Sequence, residues 1–142
     1  MKASLRPGIT HTNRIVVDRP RTIGFMGEEA RTYATPSMIL DIEHTCRELI
    51  IEHADAGEDS VGMEVAVKHL APTLLGTTVE VTVRVRAVDG RKVTFETSVK
   101  DELDQVGAGS HVRFVVDKAK TLERLKAKAA RFAGQKGSGP SG

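Results

Sequence analysis

An α+β sandwich, one long helix laid across an antiparallel sheet, is the architecture this sequence predicts, and three observations carry that prediction. Residues 35–54 place apolar side chains at helical spacing, residues 61–69 and 78–116 switch to alternation with period two, and the later strands are joined mostly by short turns. A helix with one apolar face and a sheet with one apolar face bury each other. At 142 residues the chain can bury one core and is too short for two, so residues 1–136 are read as a single domain.

Residues 9–17, ITHTNRIVV, form the first expected strand, ended by Asp18-Arg19-Pro20. Residues 18–34 are expected to be loop with one turn of helix. In the helix that follows, TPSMILDIEHTCRELIIEHA, Thr35 is suited to cap the N-terminus, Pro36 to the first turn and Gly57 to the C-terminal stop. At about 100° per residue, Ile39, Ile42, Cys46, Leu49, Ile50 and Ala54 share one face, with Asp41, His44, Thr45, Glu48 and Glu52 opposite. Glu43 breaks the pattern by lying inside the apolar arc. There an ionised carboxylate loses its water and must be paired, or work, or reach outward from the helix edge.

After the turn at residues 55–60, Val61, Met63, Val65 and Val67 alternate with Gly62, Glu64, Ala66 and Lys68, and His69 continues the apolar face. Val79, Val81, Val83 and Val85 define the next strand. Asp89-Gly90 supplies a tight turn into Val93, Phe95, Thr97 and Val99, and a strand over residues 105–116 contains Gly107-Ala108-Gly109, a signal for a bulge or a close backbone approach. An amphipathic helix over residues 117–133 presents Leu122, Leu125, Ala129 and Phe132. The closing GSGPSG, residues 137–142, reads as an expression-tag remnant.

Composition narrows the function. Apolar content of 39% and charged content of 28% are globular values, and no apolar run reaches the ~20 residues of a membrane span. The N-terminus lacks the apolar core of a secretory signal, and the one cysteine excludes an internal disulfide framework, so a cytoplasmic setting is expected. His44 and His53 are nine residues apart on nearly opposite helix faces, which gives no metal-ligand spacing, and no glycine-rich phosphate loop is present. Residues 117–137 hold seven Lys or Arg against two acids, but with Phe132 as the single aromatic this reads as a solvated face rather than a nucleic-acid surface.

Three residues could carry chemistry. A helix packed on a sheet would bring Glu43 toward His69, with Thr35 at the helix mouth; a hydroxyl needs a base, and a buried His or Glu can serve. Each has a plainer reading: Thr35 as a cap, Glu43 as an edge residue, His69 as a satisfied core or rim histidine.

Taken with Ala34-Thr35, Glu43, Ser60-Val61-Gly62, Val67-Lys68-His69, and Gly107-Ala108-Gly109-Ser110-His111 with Arg113, the sequence resembles the hot-dog-fold acyl-CoA thioesterases, within them the fluoroacetyl-CoA thioesterase group. The likeness runs over most of residues 5–117. It implies a five-stranded antiparallel sheet wrapped around the long helix and a homodimer, which could pair into a tetramer, with active sites at the subunit interface. It also implies Thr35 as nucleophile or carbonyl-orienting hydroxyl, Glu43 as base or water activator, and His69 as the group that polarises the thioester or protonates the leaving thiolate. Gly62 would meet the acyl group, and Arg113 or the C-terminal lysines could hold substrate, including the phosphates of coenzyme A. No cofactor, metal, nucleic acid or membrane enters this reading.

One departure is the segment of residues 18–34, with Phe25 and Tyr33, which is shorter than the Phe-containing lid of specialised members. A small acyl-CoA is therefore the expected substrate. The rival readings are a non-catalytic acyl-CoA-binding or regulatory module and an enoyl-CoA hydratase or dehydratase; the latter needs an acid–base Asp/His pair on the helix, and Asp41 and His44 are expected to face away from the core.

Overall fold

The computed structural model describes residues 1–138, with side chains through residue 135; residues 139–142 of the expected tag remnant lie outside the described residues. Strand β1 (Thr10–Val16) leads through two single-turn 3-10 segments and a two-residue ribbon, β2 (Thr22–Ile23) with β3 (Thr32–Tyr33), into the long helix α1 (Thr35–Glu52). Four strands follow: β4 (Glu58–His69), β5 (Thr78–Asp89), β6 (Lys92–Lys100) and β7 (Gln105–Asp117). Helix α2 (Lys118–Ser138) ends the described chain. The sheet is five-stranded and antiparallel throughout, in the order β1-β5-β6-β7-β4.

Period-two alternation places Val79, Val81, Val83 and Val85 of β5 and Val93, Phe95 and Val99 of β6 on one side of the sheet. α1 covers that side with Met38, Ile42, Cys46, Leu49 and Ile50, and all of these are buried in one cluster. The Cys46 thiol is fully buried, and desolvation holds its pKa well above the ordinary thiol range.

Several local expectations change. Ala34 rather than Thr35 occupies the capping position of α1, with no side chain bonded there, and Gly57 (φ +83°) turns the chain beyond a helix that has already stopped at Glu52. Asp41 and Thr45, expected to face solvent, are buried. Arg21 of the 3-10 turn reaches the Asp41 carboxylate (Nε to Oδ2, 3.0 Å) and Tyr33 donates its hydroxyl to the same group at 2.5 Å. Asn13 of β1 donates to the Thr45 hydroxyl at 3.0 Å. Polar partners from the preceding segment convert what reads as a solvent face into a second buried face.

In β4 the expected single apolar face is broken by a bulge. Gly62 pairs with Arg113, but Glu64, not Met63, pairs with Val112, so Val65, opposite His111, rejoins the helix-facing side that Ser60 and Gly62 occupy, while Val61 falls on the other. β4 is an edge strand, and Val61, Met63 and Val65 are exposed. The glycines of β7 mark close approach: a Cβ at Gly109 would run into the Ala66 carbonyl, and one at Gly107 would lie 2.7 Å from Met38 Sδ. The hairpin between β5 and β6 turns on Gly90 and Arg91, since Asp89 already pairs with Lys92. On α2, Leu122, Leu125 and Phe132 face solvent rather than the core.

Candidate active site

The first residue of α1 and the last of β4 meet. Extended backbone at Ala34 delivers Thr35 to the mouth of the helix with its hydroxyl uncommitted to capping, and that hydroxyl lies 2.7 Å from His69 Nδ1. The Tyr33 ring stands edge-on to the imidazole, centroids 6.4 Å apart, and its hydroxyl is fixed on Asp41. Ile23, Phe25, Leu70 and Pro72 complete an open cleft of about 360 Å³ above the pair. Burial holds the His69 pKa below its ordinary 6.5, so the imidazole is neutral near pH 7, and its Nε2 is buried with no hydrogen-bond partner among the described residues.

The middle of α1 faces a second cluster. Gly62 leaves open a space into which three side chains point: a Cβ built there would lie 3.4 Å from His111 Cε1, 3.7 Å from Arg113 Nη1 and 3.9 Å from Glu43 Cδ. Arg113 is buried, its Nε donating to Ser60 Oγ at 2.8 Å and its Nη2 to the Ser60 carbonyl at 2.9 Å. Burial lowers its pKa from the usual guanidinium value, which still leaves it a cation near neutral pH. Being enclosed, it faces the neighbourhood of Gly62 rather than any solvent-borne phosphate.

Of the residues singled out from the sequence, one chain thus brings Thr35 to His69 and brings Glu43 to Gly62 and Arg113. It does not bring the two sets together, for Thr35 and Glu43 are eight residues apart on one helix, about 12 Å along its axis. Sequence reasoning assigned no role to His111 or Ser60, although their registers on β7 and β4 put both on the face of Arg113. Tyr33 and Asp41 were missed as partners because they meet only in three dimensions. Asp41 is committed to Arg21 and Tyr33 while His44 is exposed, so the acid–base pair a hydratase needs is not formed on this helix. Among the described residues no group of three or more His, Cys, Asp or Glu is placed to hold a metal ion.

A five-stranded antiparallel sheet packed over one long helix, with a further helix at its C-terminal end, is the architecture of the hot-dog thioesterases. The fold matches a Thermus thermophilus thioesterase-superfamily member (TM-score 0.83, 27% identity, 90% of this chain and 96% of that one). It also matches a point mutant of the fluoroacetyl-CoA-specific thioesterase FlK (TM-score 0.81, 30% identity, 89% and 99%). The fluoroacetyl-CoA thioesterase of Streptantibioticus cattleyicolor is 32% identical over 135 residues, which span 90% of this chain and 94% of that protein. The model of the fluoroacetyl-CoA-specific thioesterase family matches residues 17–119. The chain belongs to that family and is a thioester hydrolase.

Proposed function

We propose that this enzyme hydrolyses a small acyl-CoA to the free acid and coenzyme A, with Thr35, Glu43 and His69 as its catalytic groups and Gly62 and Arg113 bounding the acyl pocket. The observation that carries the reading is the 2.7 Å contact between the Thr35 hydroxyl and His69 Nδ1, in a cleft where the imidazole is neutral. His69 takes the proton of Thr35 as the hydroxyl oxygen adds to the thioester carbonyl. Collapse of the adduct breaks the C–S bond, and His69 returns the proton to the departing thiolate. Glu43 then takes a proton from a water whose oxygen adds to the acyl–Thr35 ester, and hands it to the Thr35 oxygen as the ester C–O bond breaks, releasing the acid and restoring both the hydroxyl and the carboxylate. The scheme draws on no cofactor beyond the coenzyme A of the substrate.

The spacing along α1 makes a second copy of the chain part of this reading. β4 is an edge strand of twelve residues with exposed apolar side chains, an edge that a sheet protein ordinarily pairs or covers. Pairing with a second copy there would let one subunit's Thr35 and His69 work with the other's Glu43, Gly62 and Arg113. A point mutant of FlK has been crystallised with fluoroacetate and CoA; in this chain Ile23 and Phe25 of the segment 18–34 line the cleft, and a small acyl group is the substrate this reading assigns to it. A cytoplasmic setting, where acyl-CoA is made and used, belongs to the same proposal.

Complementation tests both parts. Thr35→Ala and Glu43→Gln should each release thiol from acyl-CoA at least ~10²-fold more slowly than the wild type, and co-expressed subunits carrying one lesion each should regain activity through the one intact composite site. A wild type that binds acyl-CoA without releasing thiol would sink the hydrolytic reading, and single variants that never complement would sink the shared site.

A further inference from the structure

We infer that His111 is a positioning residue that fixes the Arg113 guanidinium against the space over Gly62, and that it does so only as the neutral imidazole protonated at Nδ1. This inference rests on the reading of Arg113 as an acyl-pocket residue and goes beyond it by assigning what holds that residue in place.

The hydrogen-bond partners leave one assignment. His111 Nδ1 lies 2.8 Å from the Glu64 carbonyl oxygen, which can only accept, so Nδ1 carries the proton. Its Nε2 lies 3.1 Å from Arg113 Nη1, which can only donate, so Nε2 presents a lone pair. The carbonyl stands beside the β4 bulge, where the register slips between Gly62 and Glu64. The bulge thus sets the tautomer, and the tautomer sets the arginine.

Ser60 grips the guanidinium from one side through Nε and Nη2, and His111 closes the other through Nη1, so the cation is clamped by neutral groups alone. Cys46, Glu43 and Arg47 of α1 and Asp59 of β4 are the other ionisable groups that Arg113 senses, Arg47 as a like charge held by Asp59; among the described residues no carboxylate lies within ion-pair distance of Arg113. A buried guanidinium held by neutral acceptors keeps its charge available to a polar acyl substituent or to charge developing on the substrate. Protonation of His111 would turn the Nε2 lone pair into an N–H aimed at a cation and break the clamp. Burial and the adjoining Arg113 charge both oppose that protonation, while Glu43 and the Glu64 carbonyl favour it, with burial the largest effect.

The amide nitrogen of His111→Asn can replace Nδ1 in donating to the Glu64 carbonyl, but that variant has no acceptor at the position of Nε2, whereas His111→Gln can place its carbonyl oxygen there. The experiment pairs nitrogen-15 spectroscopy with acyl-CoA kinetics. The expected result is a wild-type His111 with Nδ1 protonated and an Arg113 Nη1–H protected from exchange, a protection lost in His111→Asn and regained in His111→Gln. In kinetics, kcat/KM should fall about ten- to hundredfold in the Asn variant, the scale of a hydrogen bond to a charged group, with recovery in the Gln variant. A proton on Nε2, or equal kinetics in both variants, whether wild-type or impaired, would overturn the inference. If the wild type released no thiol, the spectroscopic arm alone would decide, so the clamp and the hydrolytic reading fail separately.

Discussion

The two halves of the site are built in opposite ways. Thr35 and His69 meet at the ends of their elements, in an open cleft, through a single side-chain contact. Glu43, Gly62, His111 and Arg113 come from within α1, β4 and β7, away from their ends, and Arg113 is held by three hydrogen bonds. The Thr35–His69 contact sits where the backbone has freedom to adjust; the Arg113 clamp sits where it has little, and Glu43, the proposed base for water, shares that rigid setting. The loose half should therefore be chemically sensitive and structurally tolerant, and the rigid half should show structural sensitivity as well.

Replacing His69 by Ala tests the loose half and carries the largest expected effect. Thiol release should drop by ~10² to 10⁴-fold, the usual range for acid–base assistance, with the thermal midpoint close to that of the wild type. A large fall in the midpoint would show that His69 is a structural residue and break the contrast. Arg113→Met tests the rigid half next: it leaves Ser60 and His111 without their partner in a buried setting and should destabilise the fold by about 1–3 kcal/mol, read from chemical denaturation. Full stability in that variant would mean the clamp does not contribute to the fold.

Acid sensitivity sharpens the contrast with the smallest effect. Both histidines have folded-state pKa values depressed by burial below the ordinary 6.5, so the unfolded chain binds protons that the folded chain refuses. Their contribution to stability is complete above pH 6.5 and is lost as the pH falls through 6.5 toward the folded values. His111 is the more enclosed and also faces Arg113, so His111→Asn should flatten the acid limb of a stability profile more than His69→Asn does. Equal flattening would put the two halves on the same footing.

The sheet was legible because alternation in β5 and β6 has no competing explanation, and Val79 to Val85 and Val93 to Val99 are buried on one face as that alternation requires. The bulge in β4 was not, because Val61 and Met63 continue the pattern of Val65 and Val67 in sequence while the register slips between Gly62 and Glu64. Asp41 misled for a different reason: its partners, Arg21 and Tyr33, lie twenty and eight residues away, and a helical wheel holds only the helix. α2 was legible as an amphipathic helix, but its Leu122, Leu125 and Phe132 face solvent, and nothing in their spacing tells a covered stripe from an exposed one. Thr35, Glu43 and His69 stand out as candidates by residue type and by the family resemblance, while the helix sets Thr35 and Glu43 about 12 Å apart along its axis.

Burial of Cys46 has a practical consequence at the bench. It is the chain's one cysteine, wholly enclosed, with a thiol that resists ionisation. A chromogenic reagent that counts the coenzyme A thiol therefore has no competitor on the folded enzyme, and turnover can be followed without background subtraction. When the chain unfolds, each molecule contributes one new reactive thiol. The same reagent in the same cuvette then reports catalysis while the protein is intact and titrates the fraction that has come apart.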